Sequence, residues 1–309
     1  MSLRKPPALH SGDRLAIVAP ASPFDREAFD RGLAELRSLG FDVTHDDTIF
    51  ARRGYVAGEP AARAASVTRA WSDPTVAGIV CARGGYGSVQ CLPHLDFAAM
   101  GATPKVFVGY SDLTSLLTCF TQSSGIVVFH GPTVVGRFSE GSAAYDSRTF
   151  LSAIMATVPL GEVYAPSLEC VGGGDASGPL TGGTLTQLVA SLGTPFAFDP
   201  PAGSVLFLDE VGERPYRLDR MLTQARLAGL FSRVSAIIVG ELPRCDEPDG
   251  VVRGRAVVAD CLSTFPGPVV IGFPSGHTSG PACTLPLGVT VRVVAKGAPR
   301  VVVEEAAVE

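Results

Sequence analysis

No stretch of the 309 residues approaches the roughly 20 consecutive apolar positions that a membrane-spanning helix needs, which argues against a membrane partner. The opening MSLRKPPALHSGDRLAIVAP carries early basic residues but no apolar core long enough for a signal peptide. Its first apolar run, Leu15 to Pro20, has the length of a strand. The seven cysteines (81, 91, 119, 170, 245, 261 and 283) are odd in number, scattered and free of any C-x-x-C pair, so a disulfide framework is not expected and a reducing cytoplasm fits best. No basic stripe interleaved with aromatics occurs and the formal net charge is −5, which argues against nucleic acid as a partner. The chain has no G-x-G-x-x-G, no G-x-x-x-x-G-K-[ST] and no H-E-x-x-H, so neither a nucleotide cofactor nor a metal is indicated. Internal repeats and low-complexity tails are absent as well. What the chain does have is 46% hydrophobic against 18% charged residues, enough for a sizeable core, and a length suited to two domains.

The first half alternates short apolar runs with amphipathic stretches. Strands are predicted at Arg14–Ala19, Phe41–Thr44, Val76–Ala82, Lys105–Val108 and Gly125–Phe129, with helices at Phe24–Leu39, Ala61–Trp71 and Arg148–Ala156. This alternation implies right-handed crossovers and a mostly parallel sheet with helices on both faces, a Rossmann-like arrangement over residues 1–165. The texture loosens after Pro132, through GRFSEGSAAYDS and the run from Gly161 to Gly174, and residues 166–177 read as a linker. The remainder, 178–309, mixes helices at Tyr216–Leu227 and Arg253–Leu262 with strands at Val205–Leu208, Ala236–Val239, Val269–Gly272 and Val289–Val294. Dense Gly and Pro there suit a smaller, β-rich mixed domain.

Four segments could carry chemistry. In KVFVGYSDLTSLL a strand ends at Gly109, Ser111 follows, and a helix begins at once. Such a turn can hold a hydroxyl at the carboxyl edge of a sheet, or Ser111 can simply cap the helix. In CARGGYGSV, Gly84, Gly85 and Gly87 form either an amide cradle for an anion or a tight turn. SVLFLDEVGERPYRLDRML ends an apolar strand in Asp209 and Glu210, where a carboxylate can orient a neighbouring base. The charges after it read as a solvated helix face. FPSGHTSG puts His277 in a glycine-flanked loop after a strand. Of the other histidines, His10 and His45 look peripheral, His94 sits in a polar turn, and His130 ends the fifth strand at the edge that carries Ser111.

Seven strings, GDRLAIVAPASP, ARGGYGS, VGYSDLTSL, FHGP, GGTLTQLVASLGTP, LFLDEVGERPYRLDRML and IGFPSGHTSGPACTLPLGV, occur in the order found in the LD-carboxypeptidase family, which the chain resembles nearly end to end. That family also includes the hydrolases that give self-immunity to microcin C. The resemblance implies a Rossmann-like N-terminal domain, a β-rich C-terminal domain and an active site between them. It also implies a serine, acid and histidine triad, with Ser111 as nucleophile and His277 as base. The oxyanion donors would be the amides of Gly85 and Asp112. The family usually reads E-D before V-G-E, whereas this chain reads Asp209–Glu210. Register on Val211, Gly212 and Glu213 puts Asp209 in the acid position. Glu210 is the fallback, sent to the opposite face by strand alternation. Thr184 stands where the family commonly has asparagine. The implied reaction is hydrolysis of the amide between an L-centre of diaminopimelate and the terminal D-alanine of a murein tetrapeptide, in cytoplasmic cell-wall recycling, by a homodimer. Two alternatives stand beside it: an aminoacyl-nucleotide of the microcin C type cut by the same triad, and a non-catalytic two-domain protein holding a small ligand. The immunity branch stacks an aromatic residue on the nucleobase, and the only tryptophan, Trp71, lies in a helical segment remote from these strings.

Overall fold

The computed structural model describes residues 3–309, so Met1 and Ser2 of the leading segment lie outside the described residues. Five short apolar runs of the first half form β1 (Arg14–Val18), β2 (Asp42–His45), β3 (Gly78–Cys81), β4 (Val106–Gly109) and β5 (Val128–His130). They pair in parallel, and β3, β4 and β5 are buried throughout, as strands covered on both faces must be. The helices between and after them are α1 (Arg26–Ser38), α2 (Pro60–Ser72), α3 (Phe97–Ala102), α4 (Thr114–Cys119) and α5 (Ser147–Met155). Their starts follow local chemistry. Asp25 accepts from the Ala28 N–H at the head of α1, and Asp146 from the Thr149 N–H at the head of α5. Pro60 opens α2, where a missing N–H leaves no hydrogen bond unmade. Helix α1 buries Phe29, Leu33 and Leu36, the spacing visible in the sequence. Trp71 belongs to the core, its ring stacked on Phe120 at 4.9 Å and its indole N–H donating to the carbonyls of Met100 and Thr103.

The second half supplies β6 (Gly161–Glu162), β7 (Glu169–Gly172), β8 (Gly174–Thr184), β9 (Ser204–Asp209), β10 (Val234–Gly240), β11 (Val269–Phe273), β12 (Leu285–Leu287), β13 (Thr290–Ala295) and β14 (Arg300–Val303). Helices α6 (Leu185–Ala190), α7 (Pro215–Leu227) and α8 (Gly254–Leu262) accompany them. The molecule is a mixed α/β fold with two mixed sheets. One has the order β2-β1-β3-β4-β5-β12, the other β6-β14-β13-β8-β9-β10-β11-β7.

Two expectations change. Residues 166–177, read as a linker, hold β7 and the start of β8. Their glycines hide the strand pattern, because sheet pairing uses main-chain groups and needs no side chain at those positions. The sheets also do not part at one position in the chain. Strand β6, within 1–165, joins the second sheet, and β12, within 178–309, closes the first beside β5. Pro286 is accommodated in β12 because β12 is an edge strand. Among the described residues the second sheet has eight strands and the first has six. Helix α4 is buried along its whole length and contacts both β5 and β8. The Thr184 N–H at the end of β8 donates to Thr114 Oγ1 at 3.0 Å, fastening the second sheet to the first turn of α4.

Candidate active site

Strand β4 ends at Gly109, Tyr110 is fully extended, and Ser111 then turns into the left-handed region at φ 66°. A helical turn over Ser111–Leu113 leads straight into α4. A non-glycine residue in that region costs about 1–3 kcal/mol, sustained only where the surroundings fix it. Here the turn is flanked by β4, buried throughout, and by the wholly buried α4. The strain lifts the Ser111 side chain out of the helix and leaves it half-buried at the carboxyl edge of the first sheet. Its Oγ has no hydrogen-bond partner among the described residues, so the helix-cap alternative has no bond to support it. The Asp112 N–H lies in the first turn, where no carbonyl precedes it to accept.

The glycine loop after β3 lies against this turn. A Cβ on Gly84 would sit 2.9 Å from the Ser111 Cβ and 3.2 Å from its Oγ, so only a glycine lets the loop approach so closely. Two anchors hold the loop. On one side Ser88 N–H donates to Asp112 Oδ2 at 2.8 Å and Ser88 Oγ to the Asp112 carbonyl at 2.6 Å. On the other, Ser22 Oγ accepts from Tyr86 N–H at 3.0 Å and donates to the Tyr55 carbonyl at 3.0 Å. The buried Arg63 guanidinium adds bonds to the carbonyls of Gly87, Gly58 and Pro20 and to Gln90. Burial pushes the Asp112 carboxyl above its usual range, against the pull of the Ser88 and Gly87 amides. Held in this way, the Gly85 N–H remains free of any backbone partner, one residue beyond the contact with Ser111.

From the second sheet, β9 delivers Asp209, which is completely buried, while the His277 side chain is 16% exposed. A ligand can therefore reach the imidazole but not the carboxylate. Asp209 Oδ2 lies 2.7 Å from His277 Nδ1, and both carboxylate oxygens accept from the His277 backbone N–H at 3.2 Å. Although one methylene shorter than glutamate, Asp209 reaches the ring because the 274–284 loop presses onto it. Gly276, at φ +72°, leaves no room there for a side chain, since a Cβ would meet Asp209 Oδ2 at 2.4 Å. That loop runs from β11 in the second sheet to β12 in the first, so His277 sits on the crossover joining the two. The Tyr110 ring, adjacent to Ser111, lies 5.2 Å from the His277 ring.

Glu210 turns elsewhere. It accepts from the Thr186 N–H at 2.9 Å, the Thr186 hydroxyl at 2.6 Å and its neighbour Val211 N–H at 3.1 Å, which commits it to the first turn of α6, and burial raises its pKa. Thr184 donates its backbone N–H to Thr114 and leaves its hydroxyl buried without a partner. His130 is buried between Tyr110 and Phe207, with Nδ1 3.3 Å from Ser275 Oγ and Nε2 unpartnered. Burial lowers its pKa to about 4, against the pull of Asp209.

The structure thus gathers Ser111, Asp112 and Gly85 at one edge and joins Asp209 to His277 beside them, with no hydrogen bond yet linking Ser111 to the imidazole. Sequence reasoning passes over Ser22, Ser88 and Ser275. The first two lie in APASP and ARGGYGS, yet a lone serine beside glycines carries no signal of what it ties.

Two family models match the chain: the LD-carboxypeptidase N-terminal domain over residues 15–131 and the LD-carboxypeptidase C-terminal domain over residues 177–293. The "Probable murein peptide carboxypeptidase" of Bacillus subtilis (strain 168) is 33% identical over 288 residues, covering 92% of this chain and 89% of that protein. Among solved structures, the microcin C7 self-immunity protein MccF in complex with aspartyl sulfamoyl adenosine is similar with a TM-score of 0.89 at 25% identity, covering 99% of this chain and 100% of that one. Muramoyltetrapeptide carboxypeptidase from Oxalobacter formigenes gives a TM-score of 0.82 at 28% identity, covering 94% of this chain and 97% of that one.

Proposed function

The chain belongs to the LD-carboxypeptidase family and is a serine-type LD-carboxypeptidase, and on that footing we propose that it removes the terminal D-alanine of murein tetrapeptide through an acyl-enzyme on Ser111. The observation that carries this reading is the left-handed Ser111, pressed against the Gly84–Gly85 loop and beside the buried Asp209–His277 pair. In this mechanism Asp209 accepts a hydrogen bond from His277 Nδ1–H, which holds the ring in the tautomer whose Nε2 is free to act as the base. His277 takes the Ser111 proton as the hydroxyl oxygen attacks the carbonyl of the L-centre. The oxyanion then rests on the amides of Gly85 and Asp112, and His277 returns the proton to the leaving D-alanine nitrogen. Water resolves the ester by the same steps in reverse. Each oxyanion donor is worth about 10²–10³ in rate.

Part of the same proposal is that the enzyme works in the cytoplasm on recycled wall peptides. The absence of disulfides among its described cysteines supports that compartment. A homodimer rests on the family resemblance alone and is read by light scattering. The likeness to MccF supports a second reading, an aminoacyl-nucleotide substrate. Trp71 gives it no help, being enclosed in the core and unable to meet a base.

The test is mass spectrometry of the protein incubated with L-Ala–γ-D-Glu–meso-diaminopimelate–D-Ala, with Ser111→Ala in parallel. Release of D-alanine by the wild type alone is the expected result. Release by both proteins removes Ser111 as nucleophile. Release by neither removes the wall-peptide substrate and turns the trial to aminoacyl-nucleotides.

A further inference from the structure

Arg137 belongs to the polar GRFSEG segment that breaks the pattern of the first half, and nothing in the mechanism above uses it. Its backbone opens a helical turn at Phe138–Glu140, anchored by Phe138 packed on Tyr145 at 4.9 Å and Phe150 at 5.1 Å. From that base the half-buried guanidinium reaches the histidine loop. One terminal nitrogen donates to the Gly276 carbonyl at 3.0 Å and the Thr278 carbonyl at 2.8 Å. The other donates to Gly280 at 3.4 Å and to Ala144 at 3.5 Å. Three of these four acceptors alternate along one loop and bracket His277. The guanidinium also lies beside the Tyr110 hydroxyl, whose pKa burial raises and Arg137 draws back down.

A cation whose hydrogen bonds all go to carbonyls makes charge-assisted bonds, stronger than neutral ones and directional. The loop needs them. It carries Gly276 and Gly280 and crosses between two sheets, so its backbone would otherwise have many conformations to lose. We propose that Arg137 is the positioning residue for His277: it clamps the carbonyls on either side of the histidine and ties the histidine loop to the 137–144 segment. The inference rests on the reading of His277 as the base.

The experiment compares Arg137→Met in the wild-type and His277→Ala backgrounds, measuring kcat and KM on the tetrapeptide and the rate of Ser111 labelling by a fluorophosphonate. A misplaced reacting group costs up to about 10²-fold, so the expected result is a fall in kcat of about that size in the wild-type background, with KM within about threefold and labelling slowed in parallel. In the His277→Ala background the same change adds nothing, because the residue that Arg137 positions is already gone. Arg137→Lys keeps the charge and part of the donor set and recovers about tenfold of the loss. It stands in where the apolar variant does not fold. An equal further loss in both backgrounds, or a change confined to KM, overturns the positioning role alone. His277→Ala turning over at the wild-type rate overturns the base assignment and this proposal with it.

Discussion

The two halves of the site are built by different means. At the Ser111 end the main chain does the placing, through a left-handed residue, a glycine that admits a close approach, and amides left free by a turn. No side chain bonds to Ser111 Oγ. At the His277 end the backbone is a loop with two glycines, and side chains do the placing. Asp209 accepts from both the ring and the backbone N–H of His277, and Ser275 Oγ donates to the Cys283 carbonyl within the loop. The first arrangement stores strain and tolerates little change in shape. The second depends on charge and hydrogen bonds and tolerates little change in chemistry.

Substitutions should therefore divide by kind. The largest effect is expected from Asp209→Asn, which keeps the shape but reverses the preferred ring tautomer and lowers kcat by about 10³–10⁴-fold. Glu210→Gln, equally buried and one residue away, leaves kcat within about twofold because its partners belong to α6. Comparable losses for the two would undo the assignment of the acid. Next comes Gly84→Ala, a change of shape with no change of charge. Its methyl group would strike Ser111, and a fall of about 10² in kcat is expected with the melting temperature little altered. Wild-type turnover in that variant shows that the close approach is not what presents the hydroxyl.

The smallest effect concerns His130, which lies between the halves. Its pKa is near 4 in the folded protein against an ordinary histidine value of 6.5. Below 6.5 the unfolded chain takes up a proton that the folded chain refuses, so stability is full above 6.5 and is lost as pH falls towards 4. At pH 5 this amounts to about 2 kcal/mol, to be read from urea unfolding at pH 7 and pH 5. Asp209 and His277 face the same ring and remain in His130→Leu, so the difference between the variant and the wild type isolates His130. Identical pH dependence in the two proteins removes His130 as its source.

The same contrast explains what the sequence shows. Helices α1, α2, α5, α7 and α8 appear within a residue or two of their predicted bounds, because capping residues and a 3.6-residue period are local signals. Ser111 and the glycine loop are legible for a related reason: strand, glycine and helix follow one another within a few residues. Strand β8 is not legible, since DASGPLTGG carries no apolar alternation and its partners β13 and β9 lie elsewhere in the chain. Register on Val211–Glu213 and strand alternation favour Asp209 over Glu210 in the sequence, but the loop that Asp209 holds lies 68 residues away, a contact invisible to any local pattern. Arg137 is harder still, because its acceptors are main-chain carbonyls, which every residue has.

Strand β12 carries a consequence for how the molecule is made. Leu285 pairs with His130, so the sheet that holds Ser111 is finished by a segment synthesised only after β6 to β11. Until then β5 presents an open edge, a template for mispairing with other nascent chains. The loop that delivers His277 arrives just ahead of β12, and β12 moors its far end. Under the proposed mechanism, a chain half-emerged from the ribosome therefore has Ser111 but not His277, and it becomes able to cut only as its first sheet closes.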